Sequence, residues 1–369
     1  MNILFIGNYR SPCGWGQGCH DFARMLLTTG HNIVTRPIYM SGGINPNIHP
    51  DVVECEQKKC KNYDVVIQRV LPHLLEFSNN KAKHICFCSF ETGNLENTGW
   101  PRYINMVDEL WVASEQESKD LSESEVNIPI HITSESADVS KYDKKYERGQ
   151  FAQLEESFNF YFIGEYIPRK NLRALLHAFH CEFRPSENVE LLIKTNGNQE
   201  MLQQLEQEIN NVKSVLRLYR NIQDYKHEML ITDFLSEDEM CALHQACDCF
   251  VMPSRGEAYC RPVIDAMGFG NTPIVTDNTG MTSFVSNTEG WVVNSHRTPV
   301  FSPQFPLPHI YTGLEVWSEI DVLELRKHMR EAFELNTLQR LQKKSKGIER
   351  VKQYSYENIG KKINELIGE

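Results

Sequence analysis

The sequence predicts an α/β protein made of two doubly wound parallel-sheet, Rossmann-like domains. Three observations carry that expectation. The 369 residues exceed what one ordinary hydrophobic core organises and suit two domains. Short apolar runs of strand length alternate with helical patterns almost throughout, as parallel strands joined by crossover helices require. The rhythm lapses over 134–157, a polar stretch containing SKYDKKYERGQ, and then restarts.

In the first half, strands are expected at 3–6, 33–37, 65–70, 84–90, 110–113 and 128–132. Helical patterns lie at 20–29, closed by Gly30 just past the helix end, and at 101–108. In the second half, strands are expected at 158–163, 189–194, 229–234, 249–252, 273–276 and 290–293. Helices are expected there at 172–183, 200–209, 237–246 and 262–268. The stretch 296–311 carries Pro299, Pro303, Pro306 and Pro308 and reads as an extended surface loop. Segments 321–336 and 356–367 read as closing helices. The expected division is a first domain over 1–150, a second over 151–345, and a closing helical segment over 346–369.

Composition narrows the function classes. No apolar run approaches the roughly 20 residues that cross a bilayer. The opening MNILFIGNY lacks a basic start and a small-residue cleavage site, so it reads as a first strand rather than a signal peptide. A cytoplasmic location is the expectation. The formal charge is −11, split as −4 over 1–150 and −7 over the remainder. That balance gives no support to a nucleic-acid or membrane-surface partner, since both are held by basic patches. Eleven cysteines include no Cys-x-x-Cys pair; Cys86 and Cys88, like Cys247 and Cys249, sit in apolar runs and read as reduced core thiols. His177 and His180 share a helix face without a third ligand nearby, which favours packing over metal.

Doubly wound sheets bind ligands beyond the carboxyl ends of their strands, so the segments that follow strands are where chemistry is expected. NYRSPCGWGQG follows the first strand; Gly14, Gly16 and Gly18 read as a flexible loop facing a cleft, with a turn that touches no ligand as the alternative. Their spacing is neither a dinucleotide fingerprint nor a Walker motif. GEYIPRKN places Arg169 and Lys170 just before a helix, two cations suited to an anionic diphosphate. PSRGEAYCRPVIDAMGFG puts Glu257 in a turn and Asp265 within a helix's first turn or so. Pro262 suits the helix start, and the free amides at that end could meet phosphate oxygens. Two carboxylates at one mouth could hold hydroxyls; a helix-dipole role is the bland alternative for Asp265.

The segment 256–270 resembles the Glu-x7-Glu region of retaining family 4 glycosyltransferases, which have the GT-B fold of two such domains facing across a cleft. Here the motif stands as Glu257-x7-Asp265, one methylene shorter at its second acid. GEYIPRKNLRALLHAF is similar to that family's donor-phosphate loop, with Lys170 matching its lysine and Glu165 standing where an arginine is usual; Arg169 is the candidate replacement. PIVTDNTGM, VDELWVASEQESKDL and YSYENIGKKINELI are also similar to family segments, so the likeness runs over most of 84–293 and the final helix.

The resemblance implies a first, acceptor-side domain and a second, donor domain, with the closing helix of 346–369 packing back toward the first. It implies that Glu257 bonds donor-sugar hydroxyls, Asp265 the ribose, and Lys170 with Arg169 the diphosphate, with the amides around Tyr259, Cys260 and Arg261 adding phosphate contacts. It implies a nucleotide sugar as co-substrate, a UDP-sugar ahead of a GDP-sugar, and no other cofactor. No Asp-x-Asp occurs in the chain, in keeping with metal-independent transfer. The implied reaction moves a hexose or related sugar, with retention, to a hydroxyl of a glycan or lipid-linked saccharide. Glu91, in SFETGNLENTGW after a strand, is a candidate acceptor-side catalytic residue that binds an acceptor hydroxyl or assists its deprotonation, with a local hydrogen-bonding role as the alternative. Rival readings keep the fold and change the chemistry: glycosylation of a protein or a modified DNA base, epimerisation of the nucleotide sugar, or binding without transfer.

Overall fold

The computed structural model describes residues 1–39, 45, 48–77, 81–300 and 311–368. It divides into two compact units, Met1–Val139 with Leu307–Val316 and Gln353–Glu369, and Ser140–Pro306 with Trp317–Lys352. The division falls inside the strand-poor stretch 134–157, which forms two 3-10 segments at Val139–Asp143 and Gly149–Glu156. The second unit thus begins at Ser140, ahead of the expected 151.

The first unit runs β1 (Asn2–Gly7), α1 (Gly14–Leu27), β2 (Asn32–Pro37), α2 (Pro50–Gln57), β3 (Val65–Arg69), β4 (Lys83–Phe87), α3 (Trp100–Ile104), β5 (Glu109–Val112), α4 (Glu115–Ser122) and β6 (Ile130–Ile132). The six strands lie in the order β2-β1-β3-β4-β5-β6 and every pairing is parallel. The core is aromatic at its centre: Phe22 of α1 packs between Phe5 and Phe87, with ring centroids 5.3 and 5.0 Å away.

The second unit runs β7 (Phe158–Ile163), α5 (Leu172–Glu182), β8 (Val189–Lys194), α6 (Gln199–Leu216), β9 (Glu228–Ile231), α7 (Glu237–Ala246), β10 (Cys249–Met252), α8 (Arg261–Gly268), β11 (Thr272–Thr276) and β12 (Trp291–Val293). A short ribbon of β13 (Ser295–Pro299) and β14 (Val316–Ile320) follows, then α9 (Val322–Glu334) and α10 (Thr337–Lys352). Its six-stranded sheet has the order β12-β11-β10-β7-β8-β9. The order reverses between β7 and β10, so the loops leaving those two neighbours flank the switch point of the sheet, where α/β folds open a crevice. The last helix, α11 (Tyr356–Gly368), belongs to the first unit and lies on α1. There the Tyr356 hydroxyl donates to Asp21 Oδ1 at 2.6 Å, and Asn364 Nδ2 to the Thr29 carbonyl at 3.1 Å.

Several expectations need correction. Gly14, Gly16 and Gly18 do not form a flexible loop; all three lie in α1, which begins six residues before the expected start at 20. Glycine disguises a helix because its intrinsic propensity is poor, and the cap here is a cysteine, Cys13 Sγ accepting from the Gly16 amide at 3.4 Å. Gly16 and Gly18 serve close packing, whereas a Cβ on Gly14 would meet nothing within 4 Å. A Cβ on Gly16 would strike the Ser11 carbonyl, and one on Gly18 would lie 3.0 Å from Arg69 Nη2. The expected loop 296–311 opens as strand β13, while 301–310, with Pro303, Pro306 and Pro308, lies outside the described residues. Helices α2, α4 and α10 were not expected, and α6 runs seven residues past the expected 209. Among the described residues, no helix is long and apolar enough to cross a membrane.

The buried polar groups of the second unit are satisfied in small networks. His180 reaches Glu228, which also takes Lys213 Nζ at 2.9 Å, so His180 is a core residue of an ion-paired cluster. His244 Nδ1 meets the Tyr161 hydroxyl at 2.7 Å, and Asn271 Nδ2 donates to that hydroxyl at 2.8 Å and to the His244 carbonyl at 2.6 Å. Burial holds His244 neutral and lowers its pKa from 6.5 to about 4. Because the unfolded chain takes up that proton first, stability present above pH 6.5 is lost as the pH falls toward 4. The expected loss is on the order of 2–3 kcal/mol by about pH 4.5. Urea midpoints at pH 7 and 4.5 should drop more steeply for the wild type than for His244→Gln; equal drops would refute it.

Candidate donor site

The turn after β7 and the turn after β10 meet at the switch point. Pro168–Lys170 forms one turn of 3-10 helix, ended by Asn171 in the left-handed region at φ 53°. It presents Arg169, which is buried, and Lys170. From the β10 side comes Glu257, 7% exposed. Lys170 Nζ lies 2.7 Å from Glu257 Oε1, and Arg169 Nη1 lies 3.1 Å from the same oxygen while donating to the Gly256 carbonyl at 2.5 Å. Burial by itself would raise the Glu257 pKa, but the charges of Lys170 and then Arg169 outweigh it and hold the carboxyl below its ordinary value. Two cations therefore converge on one ionised carboxylate in a largely desolvated turn.

The surrounding backbone fixes this cluster. The Arg169 carbonyl accepts from the Arg255 amide at 2.7 Å and from Ser254 Oγ at 3.1 Å. Arg255 Nε pairs with Glu319 Oε2 at 2.5 Å, and Asn171 Nδ2 donates to Glu319 Oε1 at 3.0 Å, so both turns are tied to β14. The Gly280 amide donates to the Glu257 carbonyl at 2.7 Å, and any Cβ on Gly280 would overlap the Ala258 carbonyl. Sequence reading missed Arg255, Ser254, Gly280 and Glu319. Only Gly280 carried a signal, as a glycine after a strand in TDNTGM.

Helix α8 starts at Arg261, one residue before Pro262. Its N-cap, Cys260, sits at φ 73° in the left-handed region, where a non-glycine residue costs roughly 1–2 kcal/mol. Such strain accumulates at functional sites because the surroundings must over-determine it. The Cys260 thiol is buried and its pKa is pushed up by desolvation. Tyr259 is buried against Phe284, with ring centroids 4.8 Å apart. Glu165 is exposed, so the buried guanidinium of this turn is that of Arg169.

Asp265 is placed differently from Glu257. Its Oδ1 accepts from the Tyr142 hydroxyl at 2.7 Å and pairs with Lys141 Nζ at 2.8 Å. Burial would raise its pKa, but Lys141, then His244 and Arg261, bring it down to about 2. The structure thus gathers Arg169, Lys170 and Glu257 directly, and gives Asp265 partners of its own. Glu91 lies in the first unit, half-buried in the loop after β4. That loop is pinned on both sides of it, by the Phe90 amide donating to Glu117 Oε1 at 2.7 Å and by a bridge between Gly93 and Val316. Among the described residues, no three His, Cys, Asp or Glu side chains converge to hold a metal.

Two parallel six-stranded sheets with this strand order define the GT-B class, and comparison with solved structures gives the same fold. The chain superposes on the Anabaena protein Alr3699/HepE, solved with UDP and glucose, at a TM-score of 0.66 and 13% identity, covering 100% of this chain and 99% of that one. On sucrose-phosphate synthase from Thermosynechococcus elongatus the TM-score is 0.67 at 13% identity, covering 99% and 98%. Residues 143–300, which carry Arg169, Lys170, Glu257 and Asp265, match the family Glycosyl transferases group 1, and the fold of the chain is GT-B. The serotype-specific mannosyltransferase WbdA of Escherichia coli is 28% identical over 124 residues, 34% of this chain and 14% of WbdA, so the match spans about one seventh of that relative's length.

Proposed function

We propose that this chain is a glycosyltransferase that moves a hexose or related sugar from a nucleotide diphosphate sugar to a hydroxyl of a saccharide acceptor, with retention and without a metal. The observation that carries the reading is the convergence of Lys170 and Arg169 on Glu257 Oε1 at the switch point. Two cations gathered beside the crevice at the switch point suit the oxygens of a diphosphate. Binding draws the cations onto phosphate oxygens and frees Glu257 to accept sugar hydroxyls. As the glycosidic bond breaks, charge grows on the departing diphosphate, and preorganised cations stabilise it more in the transition state than in the ground state. Asp265 holds ribose hydroxyls in this reading, the 259–261 backbone adds phosphate contacts, and Glu91 meets the acceptor hydroxyl. The group 1 family match and the relative named as a mannosyltransferase support the reaction class. HepE, solved with UDP and glucose, supports a UDP-sugar donor ahead of a GDP-sugar.

A thermal-shift panel of UDP, GDP, UDP-hexoses and GDP-mannose tests the reading. A ligand at a hundred times its Kd stabilises the folded state by about 2.7 kcal/mol through linkage, so the true nucleotide should raise the melting temperature clearly, with or without EDTA. A panel without any shift would remove the donor assignment.

A further inference from the structure

Asp265 is gripped from a direction the group 1 domain does not include. Lys141 and Tyr142 belong to the 3-10 segment Val139–Asp143, just before the matched region opens at 143. The contact joins residues 123 apart in sequence, and its seat is shaped for the tyrosine ring. Gly268, one turn along α8 from Asp265, approaches that ring so closely that a Cβ would lie 2.6 Å from it. Phe269 packs edge-on against the ring at 5.2 Å. Lys141 Nζ stands 5.5 Å from the ring centroid while pairing with Asp265. Both donors fall on Oδ1.

A short carboxylate on a helix swings about two torsions, and seating one oxygen fixes where the other points. Two donors on Oδ1 therefore set the direction of Oδ2, and the side chain keeps 18% of its exposure. A charged acceptor with one oxygen already committed discriminates between a ligand that brings a hydroxyl to the second oxygen and one that does not.

We propose that Lys141 and Tyr142 are positioning residues of the nucleotide site: by seating Asp265 Oδ1 they aim Oδ2 at a ribose hydroxyl. This rests on the donor reading above and adds residues that lie outside the matched domain. Their role is to make nucleotide recognition depend on the segment that opens the second unit.

The test is calorimetric binding of UDP and 2′-deoxy-UDP, or GDP and 2′-deoxy-GDP if guanine is preferred, to the full chain and to Tyr142→Phe and Lys141→Met. The wild type should prefer the ribonucleotide by roughly tenfold or more, as expected for a hydroxyl bonded to a charged group. Both variants should compress that preference to about twofold while affinity for the deoxy form stays the same. A purely structural role would lower the melting temperature and leave the ratio untouched, which would overturn the proposal. Equal binding of the two nucleotides by the wild type would overturn it too, while sparing the donor site. A wild type that binds neither nucleotide removes the donor reading and this inference with it. Should Tyr142→Phe fail to fold, Lys141→Met carries the comparison.

Discussion

Lys170→Ala and Glu257→Gln are each expected to lower turnover by about a hundredfold, on the order of 3 kcal/mol of transition-state stabilisation. The two arise differently. In the proposed donor site Lys170→Ala removes a charge that would act most strongly on the leaving diphosphate, so kcat should fall more than donor KM rises. Glu257→Gln keeps the shape but removes the negative charge on which Arg169 and Lys170 converge. The free protein should then lose stability and regain an unusually large part of it on binding nucleotide. Since both side chains meet at one oxygen, the double variant should fall well short of the product of the single effects. Initial rates across donor concentration, with melting curves for each variant, make the measurement. Wild-type turnover in both would end the assignment of this cluster to the chemistry.

The largest effect on stability is expected in the first unit, from Glu135→Ala. Arg69 is almost fully buried, its side chain 1% exposed, and pairs with Glu135, 6% exposed. Arg69 Nη1 also donates to the Gly18 carbonyl at 2.9 Å, and the guanidinium lies over the Phe87 ring at 4.7 Å. Removing the carboxylate takes an ionic partner away from a buried cation, which costs about 3–5 kcal/mol. The joint replacement Arg69→Met with Glu135→Leu should recover most of that loss, because the pair's net contribution is small once its desolvation is counted. Urea titration reads both; a Glu135→Ala midpoint within error of wild type would show that water reaches the guanidinium.

The regular part of the fold was legible in the sequence to the residue in places. The expected bounds of β7, β8, β10 and α7 coincide with those observed. Each is an apolar or amphipathic run with sharp punctuation, such as Ser236 capping α7 through a reciprocal pair with Glu239. Where punctuation was unusual the reading failed. Helix α1 opens on three glycines behind a cysteine cap, and α10 has a mostly polar sequence with few buried residues.

Residue type and spacing alone determined that two cations follow β7 and two acids bracket the turn after β10. Tertiary structure decided which of these meet. Lys170 and Glu257, 87 residues apart, touch because β10 returns to lie beside β7 rather than beyond β9. The same folding hands Asp265 to Lys141 and Tyr142, a partnership no local pattern announces. Periodicity is a property of neighbours along the chain, whereas an ion pair in a buried turn depends on strand order, and strand order is set only when the whole sheet closes its core.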